Sequence, residues 1–124
     1  MAQSYDFNIE QGTDSSVLFV LKDLDGNLLD LHGFDCRMQV RRTKSGHALF
    51  DSLSVENGRI SIDAENATIE VKFPSEVTSK LPATTLVYDI ELISGSGYVS
   101  RILSGSVFVT AEVTRNGCCD AQIN

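Results

Sequence analysis

The sequence predicts an all-β fold, an antiparallel β-sandwich, on two observations. The first is alternation: apolar side chains recur at every second position, the period of a half-buried strand, in residues 34–41, 68–73 and 86–92. The second is punctuation: turn-forming sequences separate the apolar runs at residues 25–27, 57–58 and 94–97. Short strands divided by turns in this way indicate an immunoglobulin-like sandwich.

Four further strands are predicted from composition and weaker alternation. They cover residues 5–9, 17–22, 59–63 and 101–113, the first of them as an edge strand. Gly105 interrupts the last segment, and a glycine inside a strand often marks a bulge or a bend.

One short helix of about two turns is predicted near residues 75–81. Pro74 and Glu76 supply its start signals, and Lys80 and Pro82 supply its stop signals. Tyr88 follows early in the next strand, a position similar to that of the tyrosine corner of immunoglobulin-like sandwiches.

Length and charge limit the classes of function. The 124 residues fit one domain, and we expect a single sandwich at residues 1–115 with a C-terminal tail at residues 116–124. The formal net charge of −7 disfavours nucleic acid and anionic membranes as partners. No secretory signal and no apolar run of the roughly 18 residues needed to span a bilayer is present, so synthesis in the cytoplasm is expected.

Three cysteines cannot all pair within one chain. Cys36 falls on the apolar face of a predicted strand and is interpreted as a small buried hydrophobe. Cys118 and Cys119 lie in the tail, and three interpretations stay open: exposed thiols, an intermolecular disulfide or thiol contact, and, least favoured, a metal site.

A search for catalytic or ligand-binding constellations gives no candidate. His32 and His47 lie in predicted loops without a partner at metal-ligand spacing, and residues 23–30 lack the glycine and acid positions of a calcium loop. No nucleophile elbow or phosphate loop is complete. We therefore expect no enzyme, no cofactor, no metal and no small-molecule substrate.

Charged side chains on one predicted outer face form a more informative group. Arg37 and Arg41 alternate on one strand, and Asp89 and Glu91 alternate on another, and the two strands would pair in many sandwiches. Cross-strand ion pairs explain them, and a charged contact patch for a partner is the alternative. Arg41 and Arg42 also begin the tightest basic run of the chain, which reads either as a solvated strand end or as a contact.

A set of strand and turn segments recurs in a fixed order along the chain, at residues 5–13, 22–27, 30–34, 37–41, 87–92, 101–105 and 111–115. In this order the segments resemble small immunoglobulin-like structural proteins of tailed bacteriophage virions, in the tail, baseplate or neck, including N-terminal domains of upper baseplate proteins. The resemblance implies an immunoglobulin-like fold and no catalytic residues. The tail cysteines are not part of it, and the family more often has Thr where this chain has His32.

The resulting expectation is a virion structural subunit, made in the host cytoplasm, that contacts other virion structural proteins and copies of itself in a symmetric assembly. The N-terminal segment and the tail are the expected docking arms, with Tyr5, Phe7, Ile9, Cys118 and Cys119 as candidate contacts. The alternatives are a capsid decoration protein and, from a different class, a carbohydrate- or cell-surface-binding module. A hydrolase is the weakest alternative.

Overall fold

The computed structural model describes residues 3–46 and 48–113; residues 1–2, 47 and 114–124 lie outside the described residues. Within the described part the chain forms nine strands and one helix. The strands are β1 (Gln3–Ser4), β2 (Phe7–Glu10), β3 (Ser15–Val20), β4 (Asp35–Arg41), β5 (Leu49–Ser54), β6 (Ile60–Asp63), β7 (Thr68–Phe73), β8 (Thr85–Ile93) and β9 (Val99–Thr110), and the helix α1 (Ser75–Thr78) lies between β7 and β8.

The strands form two sheets packed face to face. The larger sheet has the order β1-β9-β8-β4-β5, with β2 also paired to β9, and the smaller sheet has the order β3-β7-β6. The runs β9-β8-β4-β5 and β3-β7-β6 follow the strand orders of the two halves of an immunoglobulin-like sandwich. The predicted all-β sandwich is therefore confirmed.

The N-terminal strands depart from a purely antiparallel sandwich. β1 and β2 both run parallel to β9, with Gln3 opposite Leu103 and Phe7 opposite Val107. The larger sheet is consequently mixed, which corrects the prediction of antiparallel sheets throughout. In this parallel arrangement Phe7 and Ile9 place their side chains inside the sandwich, at 8% and 1% exposure, and the burial of this apolar surface stabilises it.

The strands with clean alternation are those that the sequence placed best. β4, β7 and β8 coincide with the three alternating segments to within one residue. β9 runs unbroken through Gly105, so the predicted bulge or bend there is wrong. The register shift lies instead opposite Ile90 and Glu91 of β8, where β9 carries one extra residue, Ile102. β5 had no counterpart among the predicted strands.

The helix is shorter than expected. α1 is a single turn, and after it the backbone amides of Lys80 and Leu81 donate hydrogen bonds to the carbonyl oxygens of Val77 and Thr78. Thr78 is fully buried, and its hydroxyl donates to the carbonyl oxygen of Thr13 at 2.8 Å, which ties the turn to the segment before β3. No helix within the described residues is long and apolar enough to cross a membrane.

A buried ion pair joins the two sheets at the β5 edge. The guanidinium of Arg59, just before β6, contacts both carboxylate oxygens of Asp51 on β5, at 3.1 and 2.5 Å. The side chains are only 17% and 8% exposed, and Arg59 also lies over the ring of Phe73 at 5.7 Å from its centroid. This bidentate contact crosses the gap between the sheets.

Candidate functional site

The outer face of the larger sheet carries the charged group that the sequence singled out. β4 and β8 pair antiparallel, with Arg37 opposite Glu91, Gln39 opposite Asp89 and Arg41 opposite Val87. Nε of Arg37 donates to Oε1 of Glu91 at 2.7 Å. The predicted pairing of these two strands, with an ion pair across them, is therefore confirmed.

The other charges on this face find different partners. Asp89 pairs with Arg101 of β9, at 3.2 Å between Oδ2 and Nε. Arg41 instead donates from Nη2 and Nε to Oε1 of Gln39, at 2.7 and 3.2 Å. Among the described residues Arg41 thus contacts an amide oxygen and no carboxylate, which leaves its charge available to a partner.

These side chains surround a half-open groove of about 410 Å³. The groove is lined by Arg37, Met38, Gln39, Arg41, Lys44, Val87, Tyr88, Asp89, Glu91, Arg101 and Ser104. Four of these side chains are cationic and two are acidic, although the whole chain has a net charge of −7. The groove is therefore a cationic island on an acidic protein, and its charge is complementary to an acidic segment.

The walls of the groove also indicate the kind of occupant. Pockets for small molecules are mostly apolar, with a few polar groups that orient the ligand. Here charged side chains dominate, and Tyr88, the one aromatic residue of the lining within the described part of the chain, is buried at 4% exposure. Such a surface suits the polar contacts of a protein partner better than an apolar ligand or a sugar ring.

Arg42, the next residue of the basic run, lies outside the groove lining. Its side chain is exposed, and its guanidinium lies 5.6 Å from the centroid of the Phe50 ring on the neighbouring strand β5. A guanidinium held over an aromatic ring keeps its charge and loses part of its freedom. Arg41 therefore lines the groove, whereas Arg42 contacts the Phe50 ring outside the groove lining.

The N-terminal docking arm behaves differently from the expectation. Tyr5 is half exposed, but Phe7 and Ile9 are core residues, which corrects their assignment as contacts on the folded surface. The hydroxyl of Tyr88 donates to the carbonyl oxygen of Tyr5 at 2.6 Å. Tyr88 is thus no tyrosine corner, since that motif bonds a few residues upstream; here it ties down the N-terminus.

Gly105 explains why the N-terminal segment fits so closely. A Cβ at this position would lie 2.1 Å from the carbonyl oxygen of Tyr5, closer than real atoms approach. On either side of the glycine, the amide of Tyr5 donates to Ser104 and the amide of Ser106 donates to the carboxylate of Asp6. The absent side chain is what lets the segment between β1 and β2 lie directly on β9.

The remaining sequence candidates have structural roles or lie outside the described residues. Oδ1 of Asp23 accepts the amides of Asp25 and Asn27, both at 2.9 Å, as a hairpin turn requires. Nδ1 of His32 lies 2.6 Å from Oδ1 of Asp30, and both side chains are exposed. His47, Cys118 and Cys119 lie outside the described residues.

Cys36 is buried, and burial, with a smaller effect from the charge of Asp35, raises the pKa of its thiol to about 12. Its interpretation as a small buried hydrophobe is confirmed. Among residues 3–46 and 48–113, no three His, Cys, Asp or Glu side chains are grouped closely enough to hold a metal ion.

Two charged members of the groove, Lys44 and Arg101, were not singled out as site residues from the sequence. The register shift at Ile102 of β9 places Arg101 opposite Glu91 and so on the outer face. Without that shift Arg101 would lie opposite Leu92, on the core face. Only Lys44 left a local signal, since it belongs to the basic run that begins at Arg41.

Comparison with known proteins adds no relative to this picture: no protein-family model matches the chain, and no curated protein matches its sequence.

Proposed function

We propose that this chain is a structural subunit of a tailed bacteriophage virion, acting by protein–protein contacts in the tail, baseplate, fibre-attachment or neck region. The order of strand and turn segments across residues 5–115, which resembles small virion structural proteins, supports the phage assignment. The cationic groove on the larger sheet carries the contact role, and its partner is an acidic segment of another virion protein.

The groove suits assembly because its charges are held in place by backbone pairing. Arg37 and Arg41 project from β4, and Arg101 projects from β9 on the other side of β8 in the same sheet, so a partner meets a fixed pattern of cations. Each such exposed contact is worth only about 0.2–1 kcal/mol. A symmetric assembly repeats the contact in every subunit, and that repetition turns a weak interface into a stable one.

Charge also distinguishes this proposal from a carbohydrate-binding module. Carbohydrate sites generally present aromatic rings to the sugar, whereas the ring of Tyr88, the aromatic residue of the groove, is buried. A capsid decoration protein shares the sandwich and the contact role, and copy number separates the two. Hundreds of copies per particle would indicate the head, and small multiples of three or six would indicate the tail or neck.

The virion role is tested on purified virus particles. Mass spectrometry of purified virions should detect the protein, and its complete absence from intact particles would refute the virion role. The groove is tested by complementation with the double variant Arg41→Glu/Arg101→Glu, which should enter particles at least tenfold less well. Lys80→Glu is the matched control, because Lys80 is an exposed cation outside the groove. Equal incorporation of both variants would refute the groove as the contact surface.

A further inference from the structure

The free edge of the smaller sheet has an uncommon composition. β3 pairs with β7 on one side only, and its other side ends the sheet. Two of its outward side chains are apolar and exposed: Leu18 at 62% and Val20 at 52%. An exposed strand edge with apolar side chains is a template for pairing with another strand.

The main-chain groups of three residues point along this free edge. The amide of Lys72 on β7 donates to Arg59, toward β6, so Ser16, which lies opposite Lys72, faces away from β7. Successive residues alternate in direction, and therefore Leu18 and Val20 face the same way as Ser16. No loop or side chain among the described residues hydrogen-bonds the main chain of these three residues.

The other sheet edges carry protection that β3 lacks. β1 is two residues long and separated from β2 by Tyr5 and Asp6, β5 has a register shift and a charged Asp51, and β6 has four residues ending in Asp63. Short strands, irregular pairing and charges are the usual devices that block edge-to-edge pairing. β3 has six residues in unbroken register, with no charge and no proline.

We propose that β3 pairs antiparallel with β3 of a second copy of this chain, about a two-fold axis at Leu18. In this register Leu18 meets its own copy, and Ser16 lies opposite Val20 of the other chain. The main-chain groups of these three residues form six hydrogen bonds between the copies. The two small sheets become one continuous six-stranded sheet.

Charge complementarity at the ends of the strand selects the second copy and the register. Asp14 and Lys22 are exposed and lie four residues on either side of Leu18, so each Asp14 lies opposite a Lys22 of the other copy, twice by symmetry. A shift of the register by two residues would lose both ion pairs. Oδ1 of Asp14 already accepts the amide of Ser75 at 2.7 Å, which fixes the carboxylate near the end of β3.

The neighbourhood of the edge leaves room for an added strand. A cleft of about 380 Å³ lies between β3 and the N-terminal segment, lined in part by Ser4, Tyr5, Leu18 and Val20. Tyr5 and Phe19 both line the cleft, and their rings make an edge-to-face contact with centroids 5.6 Å apart. The proposal does not depend on the virion role, since it concerns only this chain.

Charge reversal tests the register. Lys22→Glu alone places two acids opposite each other, and Asp14→Lys alone places two lysines opposite each other, so each variant should dimerise at least about tenfold more weakly than the parent in analytical ultracentrifugation. An equimolar mixture of the two restores both ion pairs and should recover the dimer as a heterodimer. Thermal unfolding of each variant verifies that it is folded.

Cross-linking tests the axis. In a Cys118→Ser/Cys119→Ser background, Leu18→Cys places two thiols across the two-fold, where paired strands bring Cα atoms to about 5.5 Å, within disulfide range. The control Val20→Cys exposes the same thiol on the same edge but far from its own copy, and it should form no disulfide-linked dimer on oxidation. A parent that is monomeric at millimolar concentration, or cross-linking that is equal at both positions, would overturn the proposal.

Discussion

Replacing Gly105 by alanine should release the N-terminal segment from β9. The added methyl group would lie 2.1 Å from the carbonyl oxygen of Tyr5 and 2.9 Å from the carboxylate of Asp6. Because the nearest atom belongs to the backbone, the segment itself must move. That movement breaks the hydrogen bonds from Tyr88 to Tyr5, from Tyr5 to Ser104 and from Ser106 to Asp6.

Each lost hydrogen bond contributes about 1 kcal/mol, so the Gly105→Ala variant should lose roughly 3 kcal/mol of unfolding free energy. That loss is a large fraction of the 5–15 kcal/mol typical of a domain. Urea denaturation measures the loss, and amide hydrogen exchange at Tyr5 and Ser106 should accelerate. Gly95→Ala is the matched control, since its new Cβ would make only an ordinary contact at 3.8 Å. A loss below about 0.5 kcal/mol for Gly105→Ala would refute the reasoning.

Three further predictions follow from buried polar groups. Burial, then the charges of Asp6 and Tyr5, raises the pKa of Tyr88 above its ordinary value of 10.0. The stability due to its protonated form is therefore complete below pH about 10 and declines at higher pH. Tyr88→Phe should cost about 1–2 kcal/mol in urea at pH 7 and should flatten that alkaline decline; an unchanged pH profile would count against the assignment. The buried Cys36 thiol should resist iodoacetamide at pH 8 in the native Cys118→Ser/Cys119→Ser protein and react once urea unfolds it, whereas rapid native labelling would contradict its burial. Asp51→Asn should destabilise the fold by about 3 kcal/mol in urea, because it leaves the mostly buried Arg59 guanidinium without its carboxylate; a cost no larger than that of a surface substitution such as Lys80→Gln would contradict a stabilising role.

Local pattern predicted the strands that have one buried face, and failed where burial depends on a distant partner. β4 and β8 alternate because every second side chain enters the core. β5 escaped prediction because Asp51 takes a half-buried position that Arg59 neutralises from the other sheet. No sequence period encodes a carboxylate whose partner comes from another strand.

The same limit applies to the candidate site. The pair Arg37 and Glu91 was predictable because both lie on cleanly alternating strands whose pairing is common in sandwiches. The pair Asp89 and Arg101 was not, since a register shift between Ile90 and Glu91 decides which face Arg101 occupies. Gly105 was noticed in the sequence but given the wrong cause, because a glycine that permits close approach and a glycine that bends a strand have the same local signature.

The course of the N-terminal segment and the open edge of β3 are connected. In the constant-type immunoglobulin sandwich the first strand lies in the sheet that corresponds to β3-β7-β6, beside the strand that corresponds to β3. Here Gly105 and Tyr88 hold that segment on β9 instead, so β3 keeps a free edge. We therefore expect Gly105→Ala to weaken dimerisation as well as folding, because a released N-terminal segment competes for β3 within its own chain. Sedimentation at matched folded fraction should show a higher dissociation constant for Gly105→Ala than for Gly95→Ala. Equal dissociation constants would show that the course of the N-terminal segment does not affect pairing at β3.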